Sequence, residues 1–445
     1  MKQKPAILGG EKTRTEPFPR RITMGNEEKK AVMEVLDSDV LSAFFGSPGE
    51  LFLGGPKIKE FEATWAAQYG FKYAISVNSW TSGLMIALGS VKIEPGDEVI
   101  CSSYTMSASA SCCFYYGAIP VFADIDPVTY SIDPESFNKL ITPRTKAIIV
   151  VHLFGGIAKM DEILEIAEQH DIKVIEDAAQ APGVKYKGRP VGALGHIGGF
   201  SLNYHKHIHT GEGGMLATND EGIANMARAI RNHGENIIET AGVDDFSNFV
   251  GGNFRLTEIQ AAIGIEQLKK LDNYVSTRQT LARYFVDKLG DIEGIDLSQN
   301  EIDSNAYYVF PFKYKKEVVG LSRNLFIKAV LAELPEPVDF EDTALAGGYI
   351  KPLYLSPIYQ KQIAIGRKGF PFTMNKDVIY NYSKGICPVA ENFYENELIL
   401  SPLIREPLTV GDIDDIVTAI KKVIDNVVEI ATAFPEVDDT VIDYV

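Results

Sequence analysis

Between residues 70 and 220, six short runs rich in β-branched and aromatic residues alternate with stretches of helical periodicity: "KYAISV", "DEVICS", "IPVFADI", "KAIIVVH", "IKVIED" and "GGFSLN". That alternation predicts a mostly parallel sheet with helices on both faces, because each parallel pair needs a crossover between its strands. The runs are apolar at nearly every position, as strands covered on both sides are. In "AKMDEILEIAEQH", residues 158 to 170, a single stripe carries Met160, Ile163, Leu164, Ile166 and Ala167, which predicts a crossover helix. The alternation stops after "RLTEIQAAIGIEQLKKL", where residues 255 to 290 read as long helices joined near Asp272. Beyond residue 300 come a strand-like "AYYVFPFKYK", a helical "SRNLFIKAVLAEL", an irregular Gly/Pro-rich stretch to about 375, and a final helix "VGDIDDIVTAIKKVIDNVVEI". A chain of 445 residues exceeds what one ordinary core accommodates. The predicted division is an N-terminal arm (1–30), a large α/β domain (31–275), a smaller α+β domain (276–430) and an acidic tail (431–445).

The charge balance restricts the partners. A formal net charge of -17 disfavours nucleic acid, whose binding needs a basic face to displace counterions. No apolar run approaches the ~20 residues that span a bilayer, so no membrane partner is expected. The start, "MKQKPAILGGEKTRTEPFPRR", has only a three-residue apolar patch and lacks the core of a secretory signal, which predicts a cytoplasmic protein. The four cysteines, Cys101, Cys112, Cys113 and Cys387, include no Cys-x-x-Cys pair; reduced thiols are expected.

Four stretches carry chemistry together. In "NSWTSGLMIALGS" a strand ends at Val77, and a helix is predicted to begin near Thr81; free N–H groups and the helix dipole make such a start a seat for phosphate. In "KVIEDAAQAPGVKYKG" Asp177 falls at the carboxyl end of a strand, the edge where open α/β sheets bind ligands. A carboxylate there suits a metal, a base or a protonated pyridine nitrogen, and a helix cap equally. In "GGFSLNYHKHIHTGEGGMLATND" His205, His207 and His209 flank Lys206. A zinc site would need a further ligand cluster and none stands nearby, so no metal is expected. An amine where a sheet edge meets a Gly-rich turn can be desolvated and made nucleophilic, which singles out Lys206. In "GGNFRLTEIQAAIGIEQL" Asn253 and Arg255 precede a long helix, where they either cap it or face a neighbouring chain.

In this order the segments resemble the DegT/DnrJ/EryC1/StrS family of pyridoxal-phosphate sugar aminotransferases, of the aspartate-aminotransferase fold (fold type I), from about residue 5 to 430; the resemblance implies a mostly parallel seven-stranded sheet sandwiched by helices in the large domain and a smaller α+β C-terminal domain. The resemblance implies pyridoxal 5'-phosphate as cofactor, with Lys206 as the lysine that tethers it covalently and Asp177 as the partner of its pyridine N–H. It sets Gln180 near the phenolic oxygen and Thr81, Ser82 and Ser201 on the phosphate. Asn253 matches a residue that reaches the phosphate from the other subunit, implying a homodimer with shared sites. Lys206 and Asp177 are thus the implied catalytic pair. The implied reaction moves an amino group from L-glutamate or L-glutamine to a keto sugar, often nucleotide-linked, or a keto cyclitol.

Two residues depart from the family pattern. The ring facing the pyridine is usually aromatic, whereas "SSYTMSAS" sets Met106 there, with Tyr104 nearby; His205 stands where Thr or Ser is common. Relatives with histidine in place of the lysine are sugar dehydratases, and a non-catalytic regulator of the same fold is a further alternative. The spacing from "FS" and to "GEGG" favours Lys206 as the functional position. The start "AILGGEKTRTEPFP" and the late "YSKGICPVAENFYENELILSPL" resemble the subgroup that includes aminotransferases for inosose cyclitols and 3-amino-5-hydroxybenzoate synthases.

Overall fold

In this computed structural model of the chain, residues 3–242, 245–297, 304–338 and 342–435 are described. The apolar runs form strands β1 (Tyr73–Val77), β2 (Glu98–Ser102), β3 (Ile119–Ala123), β4 (Thr145–Val151) and β5 (Lys173–Asp177). A short hairpin, β6 (Lys185–Tyr186) with β7 (Arg189–Pro190), precedes β8 (Ile197–Ser201) and β9 (Gly214–Thr218). One seven-stranded sheet results, in the order β1-β9-β8-β5-β4-β2-β3. Only parallel pairs join β8, β5, β4, β2 and β3, while β9 runs antiparallel to both β1 and β8. Being antiparallel neighbours, β8 and β9 need no crossover. Residues 202–213 therefore turn at one sheet edge, and this turn carries Lys206.

Successive residues of β4 enter two cores, Ile149 and Val151 one and Ile148 and Val150 the other, which is why the run reads as continuously apolar. The predicted crossover helix is Met160–Gln169, burying Met160, Ile163 and Ala167 under that second face. The long helices are Glu258–Leu268 and Leu271–Leu289.

A second sheet, β10 (Ile295–Asp296), β11 (Phe310–Tyr314), β12 (Ala346–Gly347) and β13 (Leu398–Ser401), is antiparallel in the order β10-β11-β13-β12. With the helices Arg323–Ala332 and Val410–Asp425 it encloses a separate core that includes Phe310, Phe326, Ile416 and Ile420.

The end of the Gly/Pro-rich stretch, with the residues that follow it to 382, is bound to the large sheet rather than left over the small one. Tyr382 Oη donates to the Pro120 carbonyl (2.8 Å), Tyr380 Oη to Glu98 (2.9 Å) and Asn375 Nδ2 to the Gly96 carbonyl (2.9 Å). It thereby covers β3, the edge strand, where Pro120 is tolerated. The arm is tied down as well. Glu333, on the small domain, accepts from Ala6 N (2.6 Å) and from Thr13 Oγ1 (3.0 Å), and pairs with Lys422 (2.8 Å). Residues 26–30, predicted to end the arm, open the helix Asn26–Ser38, whose Ala31 and Val35 pack on Ala262. Of the predicted tail, residues 431–433 close the helix Val427–Ala433 and 436–445 lie outside the described residues.

Candidate active site

Strand register brings the four stretches to one edge of the large sheet. Asp177, the last residue of β5, pairs with Gly199 of β8; Ser201, the last of β8, pairs with Gly214, and so does Val77 at the end of β1. Asn78 N donates to the Phe254 carbonyl (2.9 Å), which draws in the fourth stretch. The helix after β1 is Trp80–Ser90, one residue earlier than predicted, because Ser79 is its cap: Ser79 Oγ accepts from Ser82 N (3.1 Å) and lies 2.9 Å from Ser82 Oγ. Thr81 and Ser82 occupy its first turn, both half-buried, and Ser201 Oγ, also half-buried, accepts from Asn203 N (3.3 Å). A Cβ on Gly214 would lie 2.9 Å from Trp80 N, so only glycine lets β9 approach this helix start.

Asp177 is 5% exposed. Its Oδ1 accepts from the indole Nε1 of Trp80 (2.7 Å) and from Ala179 N (3.2 Å), and its Oδ2 from Ser109 Oγ (2.7 Å). Three donors fix the carboxylate plane. The indole fits because a Cβ on Gly83 would sit 2.5 Å, and one on Gly199 2.4 Å, from its ring atoms. Gln180 is held at both ends of its amide, Oε1 accepting from Phe154 N (2.6 Å) and Nε2 donating to Tyr349 Oη (3.0 Å).

Lys206 follows β8 in a turn in which its N–H donates to the Asn203 carbonyl (2.9 Å). The side chain is 8% exposed, with Nζ 4.1 Å from the ring centroid of Tyr308. An ammonium over an aromatic face is attracted by the ring quadrupole, so the tyrosine holds the amine in place.

The three histidines point apart. His207 Nε2 donates to the Ala306 carbonyl (2.8 Å), His209 Nε2 lies 2.9 Å from Thr23 Oγ1, and His205 sits against Tyr204 and Tyr308. No group of three or more His, Cys, Asp or Glu side chains able to hold a metal occurs among the described residues. Burial, with help from Lys206 and Arg21, lowers His205 to about 3; burial and Arg21 lower His209 to about 4; burial and Arg278 depress His207 strongly. All three are neutral imidazoles near pH 7.

Tyr104 is fully buried, edge-on to Tyr349 with centroids 6.1 Å apart, while Met106 is 53% exposed and its sulfur accepts from Ala108 N (3.0 Å). Asn253 is exposed, pairs with Asn232 across a β-bridge and accepts from Arg255 Nε (2.8 Å); Arg255 also donates to Asn232 Oδ1 (3.3 Å). Neither caps the following helix. Thr257 does, its hydroxyl accepting from Gln260 N (3.3 Å) in a capping box.

An almost buried amine, a fixed carboxylate on the neighbouring strand end and a hydroxyl-rich helix start are the donor set that a phosphorylated pyridine aldehyde needs, so the residues fit such a cofactor. Trp80, Ser109, Tyr308, Tyr349 and Arg21 were not legible from the sequence. Trp80 gave the one available signal, a large indole in the first turn of a helix otherwise started by small residues.

The sequence profile described as the DegT/DnrJ/EryC1/StrS aminotransferase family matches residues 23–378. The chain belongs to this family. A spore coat polysaccharide biosynthesis protein, SpsC of Bacillus subtilis (strain 168), is 33% identical over 90% of this chain and 95% of its own. An L-glutamine:scyllo-inosose aminotransferase of Streptomyces griseus is 31% identical over 96% of this chain and 99% of its own. The crystal structure of an aminotransferase from Psychrobacter cryohalolentis superposes with a TM-score of 0.74 at 30% identity, over 93% of this chain and 99% of that one. Fold type I, with its large and small domains, is therefore the architecture of this DegT/DnrJ/EryC1/StrS family member.

Proposed function

We propose that the chain is a pyridoxal-phosphate aminotransferase that moves an amino group from L-glutamate or L-glutamine to the keto group of a sugar or cyclitol. The observation that carries this reading is the nearly buried Lys206 amine on the turn after β8, at the same sheet edge as Asp177. When bound, the cofactor supplies an electron sink. Asp177, oriented by Trp80 and Ser109, holds the proton on the pyridine nitrogen. Lys206 would tether the cofactor, and its free amine would serve as the acid/base that moves a proton at the donor's α-carbon. Thr81, Ser82 and Ser201 would hold the phosphate, Gln180 would serve the phenolic oxygen, and Met106 would offer its thioether to the ring.

A keto cyclitol is the favoured acceptor. The inosose aminotransferase aligns over 96% of this chain, a wider span than the 90% covered by the spore coat polysaccharide protein. Lys206 in place of a histidine supports transfer over dehydration. A homodimer is proposed on the placement of Asn253: its partner Asn232 donates to the Phe45 carbonyl (2.8 Å), the Phe45 side chain is exposed, and so is Val250, three residues before Asn253 in the chain. Such apolar exposure suits a covering surface. Mixing Lys206→Ala with Asn253→Ala subunits should then restore one competent site per mixed dimer.

The test is a half-reaction. The cofactor's absorbance should bleach with L-glutamate or L-glutamine and return with a keto cyclitol. A band that no amino donor bleaches would contradict the reading.

A further inference from the structure

Glu406, near the end of the small domain, is shared by two arginines from distant parts of the chain. Its Oε1 pairs with Arg21 Nε of the arm (2.8 Å) and its Oε2 with Arg278 Nε of the helix Leu271–Leu289 (3.0 Å). Arg278 Nη2 also donates to Glu406 Oε1 (3.3 Å), and each guanidinium has a further nitrogen on backbone around Lys206. Arg21 Nη2 donates to the carbonyls of Lys206 (2.8 Å) and His207 (2.6 Å). Arg278 Nη1 donates to those of Tyr307 (2.8 Å) and Tyr308 (3.2 Å), and the Tyr308 ring is the one under the Lys206 ammonium. The side chains of Arg21 and Arg278 are almost entirely buried.

We infer that Arg21, Glu406 and Arg278 form a brace that positions Lys206, with Glu406 orienting one arginine on the lysine's backbone and the other on its ring platform. These are positioning residues, acting through the turn and through Tyr308, and the inference rests on Lys206 being the functional lysine. Burial would raise the Glu406 carboxyl, but Arg278 and Arg21 hold it down to about 2, so the brace is charged at any working pH. Arg21 and Glu406 both lie outside residues 23–378, so the family profile does not account for them. A planar fork that reaches a carboxylate and two carbonyls at once is a task for arginine and not for lysine.

The test uses the full-length protein as Arg21→Gln, Arg21→Lys, Glu406→Gln and, as a control, Arg14→Gln. Arg14 ties the same arm to Asp412 and Asp415 of the small domain without reaching the lysine turn. Two readouts separate positioning from stability: amide exchange of residues 203–209 without cofactor, and the rate at which Lys206 captures pyridoxal phosphate, trapped by borohydride and located by peptide mass. Arg21→Gln and Glu406→Gln should speed the exchange and slow the capture by about tenfold or more, the scale of losing charge-assisted hydrogen bonds, with Arg21→Lys intermediate. Arg14→Gln should lower the melting temperature and leave both readouts at parental values. Equal effects of Arg14→Gln and Arg21→Gln, or no effect of either arm of the brace, would overturn the inference. A parent protein that captures no cofactor at Lys206 would instead overturn the functional reading, and exchange alone would then decide the brace.

Discussion

The two ends of the large sheet's story differ in how they are built. At the carboxyl edge of β1, β5 and β8, strand register alone brings together Val77, Asp177, Gly199 and Ser201, and each chemical group follows its strand by a few residues. At the β3 edge, and around the arm, hydrogen bonds link residues hundreds of positions apart: Tyr382 to Pro120, Tyr380 to Glu98, Ala6 to Glu333. The first region is a local code placed by topology; the second is tertiary packing that protects and steadies it. Substitutions at the sheet edge should therefore change chemistry more than stability, and those at the wrapped edge the reverse.

The largest separation is expected for Lys206→Ala. Turnover should vanish while the melting temperature of the cofactor-free protein stays within a few degrees, because the turn is held through the Lys206 backbone, whose N–H donates to Asn203 and whose carbonyl accepts from Arg21; turnover above a few per cent of the parent would contradict its role. Asp177→Asn comes next, with an expected loss of kcat on the order of 10²-fold, or ~3 kcal/mol of barrier, since an amide keeps the shape but not the charge that holds the pyridine proton. Trp80→Phe removes the indole donor with the pyrrole part of the ring and keeps a six-membered ring in the glycine-lined space. An expected fall of about tenfold in kcat/KM, with little change in melting, would mark Trp80 as orienting Asp177; a pure stability loss would mark it as packing.

On the wrapped edge the order of effects should invert. Tyr382→Phe leaves the Pro120 carbonyl without its donor, and calorimetry or denaturant titration should show a loss of about 1–2 kcal/mol with kcat unchanged. A comparable change in kcat would show that the wrap reaches the chemistry. The smallest effect concerns pH. His209, lowered by burial and by Arg21 to about 4, binds its proton more readily when unfolded, near 6.5. Its contribution is thus present above pH 6.5 and fades as pH falls toward 4. The gap in melting temperature between the parent and His209→Gln should narrow from pH 7 to pH 5, and a constant gap would contradict this.

What was legible in the sequence divides along the same line. The strands of the parallel sheet, the helix Met160–Gln169 and the positions of Asp177 and Lys206 follow from periodicity and spacing, because each depends on residues close in the chain. The role of Trp80 was not legible, since it depends on Gly199 and Gly214 lying beneath it from two other strands. Capping by Asn253 was one of two open readings, and Thr257 takes that role because its hydroxyl stands at the helix start with Gln260 three residues on. The docking of residues 350–390 on β3 was hidden too: a Gly/Pro-rich run with scattered tyrosines shows no period, and only the partner strand reveals what the tyrosines bind.

The central claim is that the sheet edge presents Lys206 to a pyridoxal-phosphate cofactor. Incubation of the full chain with pyridoxal phosphate, borohydride reduction and peptide mapping tests it most directly. The account predicts one reduced pyridoxyl phosphate group per chain, on Lys206, that is lost when L-glutamate or L-glutamine is added before the reductant. Label spread over surface lysines, or label on Lys206 that neither amino donor removes, would contradict it.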